Sequence, residues 1–283
     1  MLLLILSVLS LLAAAGIGCM TDAFCGFNWI WVLPVSFLGS FLVLTAAAFG
    51  ILVLICSFID EDKVRDEDSP WFRKMILMYI RAVLTVLPVK FTTQGLEKTP
   101  ADGRFLLVCN HLHNIDPAFI LDAFPKGQLS FVAKREAKEM FLVGKALSML
   151  MGSFINREND REALKTILRS ISLIKQDKAS VAIFPEGRIN SYRKLAHFRP
   201  GVFKIAQKAN VPVVVCTLRD TQYVLDRLLH FKSSKVELHL LDVIPAKELQ
   251  NRTTVEIAEQ IYEMMAQDLG PERVLTPEEE EKA

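Results

Sequence analysis

A histidine and an aspartate five residues apart follow a short apolar run. The run Leu106-Leu107-Val108-Cys109-Asn110-His111 precedes Asp116-Pro117. It predicts a buried strand that delivers His111 to its carboxyl end, where ligands gather in open α/β sheets. Asp116-Pro117 predicts a helix start with Asp116 as the N-cap. An imidazole and a carboxylate can therefore meet within one tight strand-to-helix turn.

Such a pair can supply the base and the orienting group of a catalytic triad, because the carboxylate fixes the tautomer and stabilises the imidazolium. The chain has no G-x-S-x-G nucleophile elbow, so we expect the substrate to bring the hydroxyl. His111 would deprotonate this alcohol as it attacks an acyl thioester, a general-base role worth about 10²–10⁴-fold.

Three other interpretations stay open from these residues alone. Asp116 could be only a helix cap beside a polar strand end. His111 and His113 could ligate a metal, although no H-E-x-x-H motif or second histidine cluster completes a site. Cys109 shares a strand face with His111, so it could carry the acyl group as a nucleophile or simply fill the core.

Four blocks in a fixed order resemble the motifs of the glycerolipid acyltransferase family. The first block is Asn110-His111-x-x-x-x-Asp116. The others are Gly152-Ser153-Phe154-Ile155-Asn156-Arg157, Phe184-Pro185-Glu186-Gly187-Arg188 and Val211-Pro212-Val213-Val214-Val215. The similarity spans about residues 85–265, and the ordered set is more specific than any single block.

The resemblance implies acyl transfer from acyl-CoA or acyl-carrier protein to the sn-2 hydroxyl of lysophosphatidate, forming phosphatidate without a metal or bound cofactor. It implies that Arg157 holds the acceptor's phosphate, which suits a planar guanidinium. Standing alone, Arg157 would be an ordinary surface ion-pair residue.

The third block is expected to bind substrate. Glu186 would accept hydrogen bonds from the acceptor's hydroxyl or anchor a neighbouring cation, and Gly187 would let the backbone turn or approach the substrate. The family has Glu-Gly-Thr-Arg-Ser at this place, whereas Arg188 follows Gly187 directly. Whether Arg188 reaches the phosphate is therefore an open question.

The chain from Gly103 onward alternates short β-branched or aromatic runs with longer helical periods, which predicts an α/β domain. We expect a mixed central sheet flanked by helices. The predicted strands are Arg104–Cys109, Leu129–Ala133, Ser180–Phe184, Val211–Leu218 and Val236–Val243, and the predicted helices are Asp160–Gln176 and Thr254–Asp268.

Two apolar runs near the N-terminus, Leu2 to about Met20 and about Trp29 to Ile59, predict a transmembrane helical hairpin. Cations follow the second run and none lies between the two, so the positive-inside rule predicts a multi-pass membrane protein with a cytoplasmic catalytic domain. The alternative for the first run is a signal peptide, although it lacks a positively charged start.

These patterns predict four regions: a transmembrane hairpin (1–60), an acidic linker with an interfacial helix (61–90), an α/β acyltransferase domain (91–270) and an acidic disordered tail (271–283). The segment Trp71 to Leu87 could lie in the membrane interface or pack on the domain as an ordinary first helix. The tail shows no apolar face to bury.

Charge and cysteine content exclude several classes. The 33 Lys and Arg balance 32 Asp and Glu to a net charge of +1, so no field attracts nucleic acid. Five cysteines without C-x-x-C spacing fit neither a disulfide framework nor a zinc ribbon. The expected partners are membrane lipids and the acyl donor. Glycerol 3-phosphate or another lysophospholipid is the alternative acceptor, and a non-catalytic lipid-binding protein the alternative class.

Overall fold

The computed structural model of the protein describes residues 1–155 and 160–282. The chain forms two compact units, Met1–Asp60 and Glu61–Ala283.

The first unit holds two apolar helices, α1 (Leu2–Met20) and α2 (Trp29–Ser57), each long and apolar enough to cross a membrane. Only 22% of the α1 span and 6% of the α2 span is buried, so neither helix resembles the covered core helix of a soluble protein. The helices suggest membrane association.

One face of α1 is buried, and its residues are spaced four apart: Leu6, Ser10, Ala14 and Gly18. Small residues on a helix face let a neighbouring helix approach closely. At Gly18 an added Cβ would come within 3.0 Å of the Leu33 side chain on α2. α2 continues through Pro34 without a break and is about 43 Å long at 1.5 Å per residue.

The second unit begins with the predicted acidic linker, whose carboxylates pair with cations of the domain. Lys145 lies 2.6 Å from Glu61, Arg169 lies 2.6 Å from Asp66, and Lys138 also pairs with Asp62. Exposed pairs of this kind contribute little individually, but together they hold the segment on the surface.

The first helix of this unit, α3 (Pro70–Val86), buries one face through Phe72, Arg73, Met75 and Ile76. In the interfacial alternative, Arg73 would lie among the cations at the headgroup level. It is instead buried, 2.7 Å from Asp68, and donates to the carbonyl oxygen of Leu129. Burial of an arginine requires such pairing, so this face of α3 packs as part of the domain.

Seven strands form a mixed sheet in the order β1-β7-β6-β2-β5-β3-β4. Neighbouring strands are parallel except β6 and β7, which are antiparallel. The strands are β1 (Val89–Gln94), β2 (Leu106–Cys109), β3 (Leu129–Lys134), β4 (Ser153–Ile155), β5 (Ser180–Ile183), β6 (Val213–Arg219) and β7 (Ser234–Ile244).

This topology defines a carboxyl edge, where the last residues of the parallel strands β2, β3, β4, β5 and β6 lie. Asn110 and His111 follow β2 at this edge, and the third sequence block follows the adjacent strand β5. Two blocks far apart in sequence therefore meet. Because β7 is antiparallel to β6, β7 begins at the same edge and ends at the opposite, amino edge.

The remaining helices connect and cover the strands. They are α4 (Asp116–Ala123), α5 (Phe141–Met149), α6 (Asp160–Lys175), α7 (Lys204–Ala209), α8 (Val224–Leu229), α9 (Ala246–Leu249), α10 (Thr254–Leu269) and α11 (Pro277–Glu280). A buried core joins the sheet to α10 through Ile257, Ile261 and Met265, as the helical spacing predicts. On α6, Leu164 and Leu168 belong to the apolar positions spaced as on one helix face, but both are more than half exposed.

The segment after Pro271, expected to be disordered, is ordered through residue 282. Leu195 forms an isolated bridge with Val274, and its backbone bonds Arg273 and Leu275. Leu275 is buried, so the segment does have an apolar residue to cover. Its glutamates also pair with the preceding loop, Glu279 with Lys194 and Glu280 with His197.

Candidate active site

One carboxylate oxygen organises the turn between β2 and α4. Oδ2 of Asp116 accepts hydrogen bonds from the backbone N–H groups of Leu112 at 2.7 Å and His113 at 2.9 Å. The same oxygen lies 2.8 Å from Nδ1 of His111. A buried carboxylate accepts hydrogen bonds, so Nδ1 carries the proton and Nε2 keeps its lone pair. This is the tautomer that a general base requires.

The expectation that Asp116 caps the helix is wrong. α4 does begin at Asp116 with Pro117 in its first turn, but no side chain caps it. The turn leaves buried backbone N–H groups without partners in the sheet, and Asp116 accepts from two of them. Its carboxylate therefore holds the turn and the imidazole instead of the helix end.

Two further side chains fix the end of β2. Asn110 is fully buried, donates to the carbonyl oxygen of Leu218 at 2.9 Å and accepts from its N–H at 2.7 Å. This pair extends the contact between β2 and β6 beyond the last residues of the ladder. The Phe184 ring stacks on the His111 imidazole, with centroids 4.0 Å apart and planes 12° apart. Stacking on Phe184 and the hydrogen bond to Asp116 together hold the imidazole in one orientation.

Glu186 connects the histidine to a second loop. Its Oε1 accepts from the backbone N–H of His111 at 2.8 Å, and its Oε2 accepts from that of Ala196 at 3.2 Å. The side chain is 4% exposed. Both oxygens thus lie on backbone groups, and the structure does not place them on a cation or in the cavity beside His111. Glu186 acts here on the position of His111.

Burial raises the pKa of Glu186 to about 8 from its ordinary value of 4.5. The two backbone N–H groups oppose this by favouring the ionised form, and the charge of Asp116 adds to the rise. At neutral pH the carboxyl group therefore carries a proton. A neutral group next to Asp116 avoids placing two negative charges in one buried site.

The loop that Glu186 holds also reaches the histidine turn directly. Nη1 of Arg193 donates to the carbonyl oxygen of Leu112 at 2.9 Å. The backbone N–H of Arg199 bonds the carbonyl oxygen of Pro185 at 2.9 Å. The turn at His111 is thereby tied to residues that lie more than 75 positions later in the chain.

A cavity of about 300 Å³ opens beside the imidazole. Polar and charged groups reach it from Asn114, Lys134 and Arg188, and the backbone of Gly187 lines it. Apolar side chains supply much of the remaining lining: Phe131, Val132, Met140, Val143, Leu147 and Phe184. A base beside an apolar pocket with nearby cations can deprotonate the hydroxyl of a molecule that is apolar at one end and anionic at the other.

Comparisons with known proteins agree with this chemistry. A family model described as Acyltransferase matches residues 90–219. A probable 1-acyl-sn-glycerol-3-phosphate acyltransferase of Mycoplasma pneumoniae is 30% identical over 185 residues, which cover 62% of this chain and 68% of that protein. The chain belongs to the glycerolipid acyltransferase family. Residues 90–219, which the family model matches, include His111, Asp116 and the residues that line the cavity.

A more distant relative agrees with the assignment, and a solved structure shares the fold. The 1-acyl-sn-glycerol-3-phosphate acyltransferase of Saccharomyces cerevisiae is 23% identical, covering 82% of this chain and 77% of that protein. The crystal structure of the 1-acyl-sn-glycerophosphate acyltransferase PlsC from Thermotoga maritima has the same fold. It matches with a TM-score of 0.61 at 23% identity, covering 81% of this chain and 90% of that one.

The residues predicted to bind substrate differ in where they lie. Gly187 is buried with φ +84°, a conformation that side chains disfavour, so the backbone turns there as expected. Arg188 follows it, is exposed and lines the cavity, so the early arginine does reach the site. Arg157 lies outside the described residues, and its role as a phosphate ligand stays a prediction.

The covalent alternative gains no support from the position of Cys109. The side chain is fully buried next to Cys216 on β6. Burial, followed by the charges around it, raises the thiol's pKa well above its ordinary value. A thiol becomes a nucleophile only as the thiolate, so Cys109 is suited to the core.

The metal alternative also gains no support. Within the described residues, no three His, Cys, Asp or Glu side chains form a group that could hold a metal ion. Nδ1 of His113 lies 3.3 Å from the backbone N–H of Ile115 and accepts from it. Burial lowers the pKa of His113, the charge of Asp116 opposes this, and the positive charge of Arg193 lowers the pKa further. His113 is therefore a neutral part of the turn.

Proposed function

We propose that the protein transfers a fatty acyl group from acyl-CoA or acyl-carrier protein to the sn-2 hydroxyl of 1-acylglycerol 3-phosphate, forming phosphatidate. The observation that carries the proposal is the Asp116–His111 pair, which presents Nε2 beside a cavity that is apolar on much of its lining and cationic at Arg188. The activity in the names of two relatives supports the acceptor.

One base, His111, carries out both proton transfers of the proposed reaction. Nε2 of His111 takes the proton of the acceptor hydroxyl while the hydroxyl oxygen bonds to the thioester carbonyl carbon. Asp116 stabilises the imidazolium that results. When the tetrahedral intermediate collapses, the C–S bond breaks and the imidazolium returns the proton to the leaving thiolate. His111 ends in its starting tautomer, with no metal or bound cofactor taking part.

The apolar and the cationic residues of the cavity would bind different parts of the substrates. Fatty acyl groups fit Phe131, Val143 and Leu147. Arg188 and Arg157 are our candidates for the acceptor's phosphate, because a guanidinium can bind two phosphate oxygens together. In the same proposal α1 and α2 cross the membrane and the catalytic unit is cytoplasmic, which Lys63 and Arg65 after α2 support.

The deciding experiment offers the purified full-length protein in detergent either acyl-CoA or acyl-carrier protein, with a panel of acceptors, and measures thiol release. We expect release with 1-acylglycerol 3-phosphate and a loss of about 10²–10⁴-fold in His111→Ala. A chelator should leave the rate unchanged.

The panel separates the outcomes. Faster release with glycerol 3-phosphate or another lysophospholipid would reassign the acceptor, whereas equal release in wild type and His111→Ala would contradict the mechanism. The thermal midpoint of His111→Ala in the same detergent must match that of wild type, so that a loss of activity reports chemistry and not unfolding.

A further inference from the structure

The connection between β6 and β7 carries an apolar tip, residues 224–232, that comprises α8 and the turn after it. β6 ends and β7 begins at the carboxyl edge of the sheet, where His111 also lies. The tip therefore projects from the catalytic edge of the unit.

The tip exposes large apolar side chains. Leu225 and Leu229 lie on one face of α8, four residues apart, and Phe231 follows in the turn. Leu229 is 78% exposed and Phe231 is 98% exposed. Single exposed apolar residues are ordinary, but a group that includes a fully exposed phenylalanine indicates a contact surface.

The backbone holds these side chains outward without packing them. The N–H groups of His230 and Lys232 bond the carbonyl oxygen of Arg227, and that of Phe231 bonds Leu228. Phe231 adopts φ +54°, which a bulky side chain rarely accepts. An aromatic residue that is fully exposed and held in this conformation gains nothing from the folded unit, so its contact lies outside the unit.

The charges beside the apolar group are two cations and one anion, Asp226, which is 72% exposed and lies 3.8 Å from His230. Arg227 and Lys232 flank Leu229 and Phe231, and both are exposed. Within the described residues neither is ion-paired, although Arg227 lies over the Tyr223 ring and donates weakly to the Ser233 carbonyl oxygen. Cations beside exposed leucine and phenylalanine match a lipid surface, with acyl chains below and anionic headgroups above.

The tip is also tied to the catalytic turn. Asn110, directly before His111, bonds both backbone groups of Leu218. Five residues separate Leu218 from the first residue of α8, and Thr221 within them is fully buried. The tip is therefore linked through β6 to the turn that carries His111.

We propose that the tip docks on an anionic phospholipid surface, with Leu229 and Phe231 inserted among the acyl chains and Arg227 and Lys232 on the headgroup phosphates. This contact is additional to any made by α1 and α2. It would seat the carboxyl edge of the sheet at the bilayer surface.

The test uses the full-length protein in vesicles, with Cys19 and Cys25 replaced by serine because the other three cysteines are buried. A polarity-sensitive fluorophore is attached through Phe231→Cys. The matched control carries it through Val255→Cys, an exposed apolar position on α10, which begins beyond the amino-edge end of β7. Leu229→Cys provides a second reporter that retains Phe231.

We expect both tip labels to shift to the blue and to be quenched by brominated lipids in vesicles that contain phosphatidylglycerol. In vesicles of phosphatidylcholine alone, quenching of the tip labels should be weaker by at least roughly threefold. The label at residue 255 should keep its water-exposed emission in both. Tip labels that stay water-exposed in both vesicles would overturn the proposal.

Two further results are decisive. Replacing Arg227 and Lys232 by glutamine should abolish the preference for anionic vesicles and leave the thermal midpoint unchanged, and a preference that persists would overturn the headgroup contact. A blue shift that appears without lipid and grows with protein concentration would assign the tip to a second copy of the chain and overturn the lipid assignment.

Discussion

The two sides of the catalytic cavity are built in different ways. His111 is fixed by Asp116, by the stacked Phe184 ring and by the Glu186 bond to its backbone. Arg188, on the facing segment, is exposed and has no ion-pair partner in the described part of the chain. The base is thus oriented before substrate arrives, whereas the cation is free to follow the acceptor. Substitutions around His111 should alter kcat, and substitution of Arg188 should alter KM.

After His111→Ala, the largest effect is expected from Asp116→Asn. The amide oxygen can take the place of Oδ2 and keep the three hydrogen bonds of the turn, but the negative charge that stabilises the imidazolium is lost. We expect kcat to fall by about 10²–10³-fold with little change in KM. Steady-state kinetics measure this.

The matched control is Asp122→Asn on the same helix, which removes only the pair with Arg81 at the surface. That variant should keep wild-type kinetics. Near-normal kcat in Asp116→Asn would refute the electrostatic role of the carboxylate.

Glu186→Gln should have the next largest effect, about tenfold on kcat. Glutamine presents one acceptor oxygen, so one of the N–H groups of His111 and Ala196 loses its partner, at a cost of about 1–3 kcal/mol. Glu263→Gln, an exposed change on α10, is the control.

The pH dependence of stability sharpens this prediction. Because the pKa of Glu186 is raised from 4.5 to about 8, the folded state binds more protons than the unfolded state between these values. Wild-type stability therefore falls as the pH rises through this window. Glu186→Gln lacks this slope, so its deficit in thermal midpoint should be largest near pH 5 and shrink toward pH 8. A deficit that is constant with pH would argue against a protonated carboxyl group.

Arg188→Ala should affect the other side of the cavity. We expect KM for the phosphate-bearing acceptor to rise about tenfold while kcat stays within a factor of two, since an exposed cation contributes mainly to binding. Arg104→Ala at the amino edge removes a surface pair with Asp177 and should change neither constant. A fall in kcat alone would move Arg188 to the chemical step.

The smallest effect is expected from Cys109→Ala. The thiol is a buried apolar group with a raised pKa, so its loss should lower the thermal midpoint slightly and leave turnover near wild type. Turnover and the unfolding midpoint are measured on the same sample. Abolished turnover in a folded variant would restore the covalent route.

The sequence predicted the central strands and the His111 turn because their signals are local. β2, β3, β5 and β6 are short apolar runs, β7 is a longer strand that alternates apolar with polar residues over much of its length, and each lies within two residues of its predicted bounds. β1 and β4 were missed, since one follows α3 almost directly and the other has only three residues. Such short outer strands exist through pairing with distant segments, which a local pattern does not contain.

The site was predictable in its reacting groups but not in its supports. His111 and Asp116 follow from spacing, yet the partners of Glu186 are backbone groups of residues 111 and 196, which no side-chain motif reveals. The same holds for Asn110 with Leu218. Asp116 was predicted to cap the helix because Asp-Pro is a common helix start. Its carboxylate instead accepts from the N–H groups of the turn, which would otherwise lack a partner.

The ordered segment after Pro271 determines how late in synthesis the loop at Leu195 can be completed. Leu195 lies in the loop that Glu186 joins to His111, and it pairs with Arg273, Val274 and Leu275. Synthesis runs from the N-terminus, so α1, α2 and the histidine turn all leave the ribosome before these partners exist. The support of the loop at Leu195 is therefore completed only after residues 273–275 have left the ribosome, when the rest of the fold has already been synthesised.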